Sequence, residues 1–145
     1  MSRAYMPQAI TDDWASPKWV VDQVIAEFGP IDLDPAASEH NAVCDRYYTE
    51  EDDGLNQPWD GDLIYTNPPY GRGLLEWVKK ALHEYQIGNA KRIVMLMPSR
   101  TCTRWFHLLW QKPNVEIRFF KGRLKYGTVP SKAGAPFPSC LVVIG

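Results

Sequence analysis

Apolar residues in this chain follow two spacings in turn, which predicts alternating helices and strands. Three segments repeat apolar residues every three or four positions, as amphipathic helices do. The first has Ser16 as its predicted N-cap and Pro17 as its first helical residue, and it ends at Gly29-Pro30. The predicted helices are residues 17–28, 74–85 and 105–110.

Short apolar runs between these helices have the length of β-strands. The run at 93–97 is apolar throughout, as expected of a central parallel strand covered on both faces. Residues 39–60 are polar and poorly periodic, and hold at most a short helix and one strand near Arg46. The element order predicts an open three-layer α/β sheet. Its predicted strands are residues 31–35, 63–66, 93–97, 115–120 and 140–144.

The chain has 145 residues, of which 45% are hydrophobic, and this predicts one globular domain. We place that domain at residues 14–145, after an N-terminal tail at 1–13. No apolar run is long enough for a signal peptide or a membrane span, so a cytoplasmic protein is expected. The three cysteines are far apart and the three histidines are scattered. We therefore expect reduced, mostly buried thiols and no metal site.

Charge is divided unevenly along the chain. Up to Tyr70 there are fourteen acidic and three basic residues, and after it there are three acidic and thirteen basic ones. Basic residues interleaved with aromatic ones are typical of a nucleic-acid surface, where phosphates are neutralised and bases stack. The alternative is that the two charge groups balance each other across the fold. The basic residues cluster at residues 100–104, at 121–127 and at Lys132.

The segment Asn67-Pro68-Pro69-Tyr70, which we call the acceptor motif, follows a predicted strand. Two prolines fix the backbone and remove two N–H donors, so carbonyl groups there stay available. The Asn67 side chain and the Pro68 carbonyl are two acceptors, and Tyr70 offers a flat ring. This combination suits a planar ring with an exocyclic amine, such as adenine, cytosine or an amide. The alternative is an ordinary proline-rich turn.

A second turn, Asp34-Pro35-Ala36, also follows a predicted strand, and we call it the cofactor turn. In open α/β sheets, ligands bind beyond the carboxyl ends of the strands. Both turns are therefore expected at the same edge of the sheet, where one would hold a cofactor and the other a substrate.

Taken together, these segments resemble the S-adenosylmethionine-dependent amino-methyltransferases, specifically the short Dam-like DNA N-6-adenine methyltransferases of phages and prophages. The resemblance implies a single-domain, abbreviated Rossmann-like class I methyltransferase fold with a mostly parallel sheet flanked by helices. It also implies adenine-specific DNA methylation in the cytoplasm of a bacterial host. The resemblance is carried by single positions and short segments, namely residues 14–17, 31–38, Asn41, 47–49, 53–55, Trp59, 67–71, Trp77, 97–101, 122–126 and 135–139.

The resemblance implies an S-adenosylmethionine site at the start of the first helix and at the cofactor turn. Ser16 and Pro17 would meet the methionine carboxylate at the helix N-terminus. Asp34 would receive the ammonium group, with Pro35 and Ala36 in the same turn. Asp53 would accept a hydrogen bond from the cofactor adenine.

For the acceptor motif, the resemblance implies direct methyl transfer to a flipped adenine. Asn67 and the Pro68 carbonyl would accept both hydrogens of the target amine, with Pro69 holding the turn rigid. Tyr70 would stack on the base, and Tyr126 or Phe137 would cover its opposite side. Residues implied to contact double-stranded DNA are Arg100, Arg104, Lys121, Arg123, Lys125, Tyr126 and Phe137.

The chain also departs from the wider methyltransferase pattern. The cofactor turn contains no glycine, and the short distance from Ser38 to Asp53 leaves the ribose-binding acid open between Asp45 and Glu51. A separate target-recognition domain is absent, which places sequence recognition in the loops around 121–138 or in a partner subunit. This absence is compatible with a homodimer.

Two other functions fit the same residues. One is a methyltransferase that acts on another amine, such as an RNA adenine, cytosine N4 or a protein glutamine. The other is a non-catalytic regulator that binds DNA and the cofactor. The basic second half argues against a protein substrate, and the intact acceptor motif argues against the regulator.

Overall fold

The computed structural model describes residues 15–70, 73–127 and 134–145. The tail at 1–13, together with Trp14, Gly71 and Lys132, lies outside these residues. The helices in the described ranges are α1 (Lys18–Phe28), α2 (Leu74–Gln86) and α3 (Arg104–Leu109), with a short 3-10 helix at Gly54–Asn56. The strands there are β1 (Ile64–Thr66), β2 (Ile93–Pro98), β3 (Val115–Phe119) and β4 (Ser139–Ile144).

The strands form one mixed sheet in the order β1-β2-β4-β3. β1 and β2 are parallel, whereas β4 is antiparallel to both β2 and β3. The predicted mostly parallel sheet is therefore wrong. The chain leaves β3 and enters β4 at the same end of the sheet, so β4 has to run in the opposite direction. The apolar run of β2 correctly predicted that both faces of this strand are buried, but it contains no information on the direction of the neighbouring strands.

The predicted first strand is reduced to isolated bridges. Leu33 pairs in parallel with Ile64 of β1, and Asp34 pairs in parallel with Tyr47 on its other side. Pro35 follows immediately and lacks the N–H that a longer ladder needs. The segment still extends the sheet beyond β1, and it places the cofactor turn at the carboxyl end of that strand.

Two hydrophobic clusters cover the two faces of the sheet. On one face, α2 and α3 pack on Ile64, Met95 and Met97. On the other face, α1 packs on Tyr65 and Leu96. Described parts of residues 120–138, the segment between β3 and β4 that we call the excursion, pack on the same face. The predicted three-layer α/β architecture is confirmed, although one of its outer layers is partly loop.

The start of α1 differs from the prediction. The helix begins at Lys18, and Pro17, not Ser16, occupies the N-cap position without a side-chain cap. The Ser16 hydroxyl instead pairs with the hydroxyl of Tyr65, 2.7 Å away. Tyr65 is fully buried, and a buried hydroxyl needs a partner, so it takes the serine that capping would have used.

The cysteines are less buried than predicted. Cys140 lies in β4 and is buried, Cys44 is half-buried and Cys102 is exposed, all three as free thiols. None of the helices in the described parts of the chain is long and apolar enough to cross a membrane.

Candidate active site

Five segments meet at the edge of the sheet where β1 and β2 end, which we call the carboxyl edge. Because β1 and β2 are parallel, the acceptor motif leaves the sheet beside the end of β2. β4 starts there, since Ser139 pairs with Pro98. Two backbone hydrogen bonds hold the adjoining segments at this edge. Ser99 N donates to Pro138 O (2.8 Å), and Phe120 N donates to Ser139 O (3.2 Å). With the Leu33–Ile64 bridge, this geometry confirms that both predicted turns lie at one edge.

Asp34 is a buried carboxylate held by backbone amides, with 4% of its surface exposed. Its two oxygens accept from Val43 N at 3.2 Å and from Ala36 N at 3.4 Å. Burial raises its pKa from 3.8 to about 7, and the two backbone hydrogen bonds offset only part of that rise. In the described part of the chain, no cationic side chain forms an ion pair with it. A buried carboxylate without a cation is costly for the fold, and it is suited to a cationic ligand.

Asp53 lies next to the cofactor turn because of Gly54. A Cβ atom at Gly54 would stand 2.1 Å from the carbonyl oxygen of Pro35, so only glycine permits this approach. The Asp53 carboxylate is exposed and accepts from the Asn56 amide at 2.6 Å. Asp53 has a left-handed backbone, with φ 60°. The structure thus brings Asp34, Pro35 and Asp53 together, with the close-approach glycine on the segment facing the turn.

Ser16 reaches this region through Tyr65, which sequence reasoning missed. Desolvation raises the pKa of the Tyr65 hydroxyl above its usual value, and the nearby Asp34 charge raises it further. Tyr65 is therefore a neutral hydroxyl that donates to Ser16. In the sequence, Tyr65 falls within the predicted strand at 63–66, and no role at the site was expected of it. The predicted ribose acids, Asp45 and Glu51, are both exposed, and the choice between them stays open.

Exposure varies from residue to residue along the acceptor motif. Asn67 and Tyr70 are half-buried, Pro68 is buried and Pro69 is exposed. Thr66, directly before the motif, is fully buried, and its hydroxyl has no hydrogen-bond partner among the described residues. A buried hydroxyl without a partner at this position is a site where a bound ligand or water could donate or accept.

Tyr70 is packed by two aromatic residues from the excursion. Its ring meets Phe137 edge-on at 5.2 Å between ring centroids, and Tyr126 at 6.4 Å. Hydroxyl groups link Tyr70 to Tyr126 (3.1 Å) and Tyr126 to Ser139 (2.8 Å). Both Tyr126 and Phe137 are buried. Both rings therefore support Tyr70 directly, and their predicted roles of covering the base and contacting DNA stay predictions.

Three of the predicted DNA contacts line one open groove, of about 640 Å³, against the start of α1. Lys121, Arg123 and Lys125 are exposed there, and none forms an ion pair within the described ranges. Sequence reasoning missed the opposite wall, which contains Lys18 and Trp19. We call this the basic groove.

The other two predicted DNA contacts, Arg100 and Arg104, follow β2 at the carboxyl edge. Arg104 is exposed and opens α3, which packs on the sheet face away from α1. Some basic residues do balance the acidic half, as the alternative proposed. Arg118 holds Glu27 at 2.6 and 2.7 Å, and Lys91 lies 3.2 Å from Asp62. The basic groove is outside these pairs.

Comparison with known proteins adds independent information. The sequence model of a family described as DNA N-6-adenine-methyltransferase (Dam) matches residues 3–139. A DNA N-6-adenine-methyltransferase of Escherichia phage T1 is 38% identical over 101 residues, which cover 69% of this chain and 41% of that protein. One of Haemophilus phage HP1 is 32% identical over 109 residues, or 74% of this chain and 62% of that protein. The chain therefore spans less than two thirds of either relative.

A third similarity is shorter. A putative methyltransferase of Escherichia coli, YfdM, is 33% identical over 73 residues, which cover 46% of this chain and 80% of that protein.

Proposed function

The chain belongs to the DNA N-6-adenine-methyltransferase (Dam) family, and from this premise we propose that it transfers a methyl group from S-adenosylmethionine to N6 of adenine in DNA. The family implies a methyl donor. The observation that carries the proposal for this chain is the buried, cation-free carboxylate of Asp34 at the same edge of the sheet as the acceptor motif.

Residues at the cofactor turn fit S-adenosylmethionine. Asp34 would take up its ammonium group, which supplies the positive charge that the buried carboxylate lacks. Asp53, held beside Pro35 by the Gly54 approach, would accept from the cofactor adenine after exchanging its bond to Asn56. Ser16 and the first amides of α1 would face the methionine carboxylate. When bound, the cofactor supplies an electrophilic methyl group on a positively charged sulfonium.

The acceptor motif would prepare the adenine for this methyl group. The amine of adenine is a weak nucleophile because its lone pair is delocalised into the ring. Two acceptors, the Asn67 side-chain oxygen and the Pro68 carbonyl, would hold both hydrogens and favour the pyramidal amine, whose lone pair is free. Tyr70 would stack on the flipped base, and its ring is kept in place by Tyr126 and Phe137. This assignment needs no metal or covalent intermediate.

Duplex DNA is the proposed polymer substrate. The exposed basic side chains of the groove would neutralise phosphates, and Arg100 and Arg104 would do so beside the end of β2. Recognition of the DNA sequence would rest on the loops around 121–138 or on a partner subunit.

The direct test follows label from S-adenosylmethionine into DNA. Purified protein is incubated with the radiolabelled cofactor and unmethylated duplex DNA, and the DNA is digested and its nucleosides separated. We expect label in N6-methyladenine. Asn67→Ala removes one acceptor, and we expect transfer to fall at least 100-fold, the scale seen when an oriented acceptor or donor is lost.

The control variant is Asn114→Gly, at an asparagine with a left-handed backbone (φ 69°) before β3, which glycine adopts freely. It should methylate like the wild type. Label found only in N4-methylcytosine or only in RNA would show that the methyl group goes to another amine and not to adenine in DNA. Tight DNA and cofactor binding without any transfer would overturn the enzymatic proposal in favour of a binding regulator.

A further inference from the structure

The basic groove has a wall that DNA phosphates alone do not explain. Trp19 lines it with 49% of its surface exposed, between Lys18 and the basic side chains of residues 121–125. Its ring is held by an edge-to-face contact with Phe120, at 5.7 Å between centroids. A large aromatic side chain that is half exposed within a positive groove is the kind of residue on which unpaired bases stack.

The groove carries a net positive charge. Lys121, Arg123 and Lys125 line it from the excursion, and Lys18 adds a fourth charge that is shared with Asp22 at 2.7 Å. Four cations against one carboxylate leave a surface that attracts a polyanion. Cationic side chains and an aromatic ring in one groove are the two kinds of contact that a single strand uses, on its phosphates and on its bases.

Residues 123–126 connect this groove to the acceptor motif. Their side chains alternate, with Arg123 and Lys125 exposed and Leu124 and Tyr126 buried. The inward Tyr126 bonds to the hydroxyl of Tyr70, while the outward Lys125 lines the groove. A strand lying in the groove is therefore separated from Tyr70 by the thickness of a single extended segment.

We infer that the basic groove binds a single-stranded stretch of the DNA that flanks the target adenine, with its basic side chains on phosphates and Trp19 stacked on a base. This inference rests on the proposed function, since it assigns a second contact to the same DNA. It extends that function because it makes Trp19 a DNA-binding residue and predicts a preference for strands that are already unpaired.

The test separates bases from phosphates. A fluorescently labelled thymidine strand of about 12 nucleotides, within the usual site sizes for single strands, is compared with an abasic strand of equal length. Thymidine lacks the adenine amine, so the two acceptors of the acceptor motif have no amine to hold, and any stacking on Tyr70 is the same in the wild type and in Trp19→Leu. We expect the wild type to bind the thymidine strand about tenfold more tightly than the abasic one, and Trp19→Leu to abolish that difference.

Matched variants complete the experiment. Trp110 has the same 49% exposure but lies in the aromatic cluster with Phe106, so Trp110→Leu should bind both strands like the wild type. Trp19→Phe should restore most of the preference for bases. Lys125→Ala should weaken the binding of both strands equally, and it should reduce the dependence of that binding on salt.

Two results would overturn the inference: no preference of the wild type for bases, or an equal effect of Trp19→Leu on both strands. The second result would mean that Trp19 only packs on Phe120. Neither readout uses methyl transfer, so a failure of the proposed enzyme activity appears separately, in the nucleoside assay.

Discussion

The two turns at the carboxyl edge are built in opposite ways. The cofactor turn is polar and local: Asp34 is held by backbone amides of Ala36 and Val43, two and nine residues away. The acceptor motif is aromatic and long-range, with Tyr70 packed by Tyr126 and Phe137 from the excursion. The difference indicates that the first turn is organised to meet a charge and the second to hold a flat surface in place. Each kind of organisation predicts its own response to mutation.

The largest expected effect comes from removing the charge of Asp34. Asp34→Asn keeps the shape of the side chain but has no charge for an ammonium group, so we expect S-adenosylmethionine to bind about 100-fold more weakly. Titration calorimetry measures this change. Asp62→Asn, an exposed aspartate before β1, is the control and should bind like the wild type.

Asp34→Asn should also have a higher free energy of unfolding than the wild type at pH 8, and this is the most direct test of the comparison. The folded pKa of Asp34, about 7, lies above its ordinary 3.8, so the wild type loses stability as the pH rises from 4 to 7. Asp34→Asn has no such loss. We expect the unfolding free energy of Asp34→Asn relative to the wild type to rise by about 4 kcal/mol between pH 4 and pH 8, in denaturant unfolding. Equal stabilities at pH 8 would contradict the buried-charge description.

The next effect tests the close approach behind the cofactor turn. In Gly54→Ala the added methyl group meets the Pro35 carbonyl, so the turn and the segment of Asp53 have to separate. We expect a loss of about 3 kcal/mol in unfolding free energy and weaker cofactor binding. Gly73→Ala is the matched control, because a methyl group there meets no atom of the described residues within 4 Å. Its stability should be unchanged or slightly higher.

A smaller effect concerns pH and the cofactor. Only the ionised form of Asp34 attracts an ammonium group, and its pKa of about 7 places the change near neutrality. Affinity for S-adenosylmethionine should therefore fall about tenfold between pH 8 and pH 6. Asp34→Asn should remove this dependence. A flat profile in the wild type would show that the ammonium is bound elsewhere.

The smallest effect compares one hydroxyl in each region. Tyr126→Phe removes the hydroxyl that links Tyr70 to Ser139, and with it two hydrogen bonds, so we expect it to cost about 1.5 kcal/mol of unfolding free energy. Tyr48→Phe removes a bond to the Pro58 carbonyl near the surface, and about 0.5 kcal/mol is expected. Thermal unfolding of both variants measures the difference. Equal losses would show that burial of the Tyr126 network adds nothing.

Sequence patterns predicted the helices and strands well because the spacing of apolar residues along an element depends only on which side of it is buried. The bounds of α2 and β3 lie within one residue of the prediction, and the two turns share an edge as expected. Direction was not encoded in the same way: β4 is buried whether it runs parallel or antiparallel. The reversal of β4 depends on where the excursion returns, and no local pattern in residues 139–144 records that.

The aromatic residues of the excursion show the same limit at the site. Tyr126 and Phe137 lie among basic residues in sequence, which is typical of a nucleic-acid surface, but their side chains point into the core. The alternation of residues 123–126 was a signal that could have separated inward from outward positions. For Lys18 and Trp19 no such signal existed, because their partners in the groove lie about a hundred residues away.

The return of the excursion to its starting point has a consequence for how such a chain can evolve. Phe120 and Ser139 are joined by a backbone hydrogen bond, so the chain between them is closed at its base. Doubling the length of a closed loop adds only about 0.6 kcal/mol of closure entropy. Insertions at positions away from Tyr126 and Phe137 therefore lengthen this stretch at little cost, while the sheet and the packing around Tyr70 are inherited unaltered.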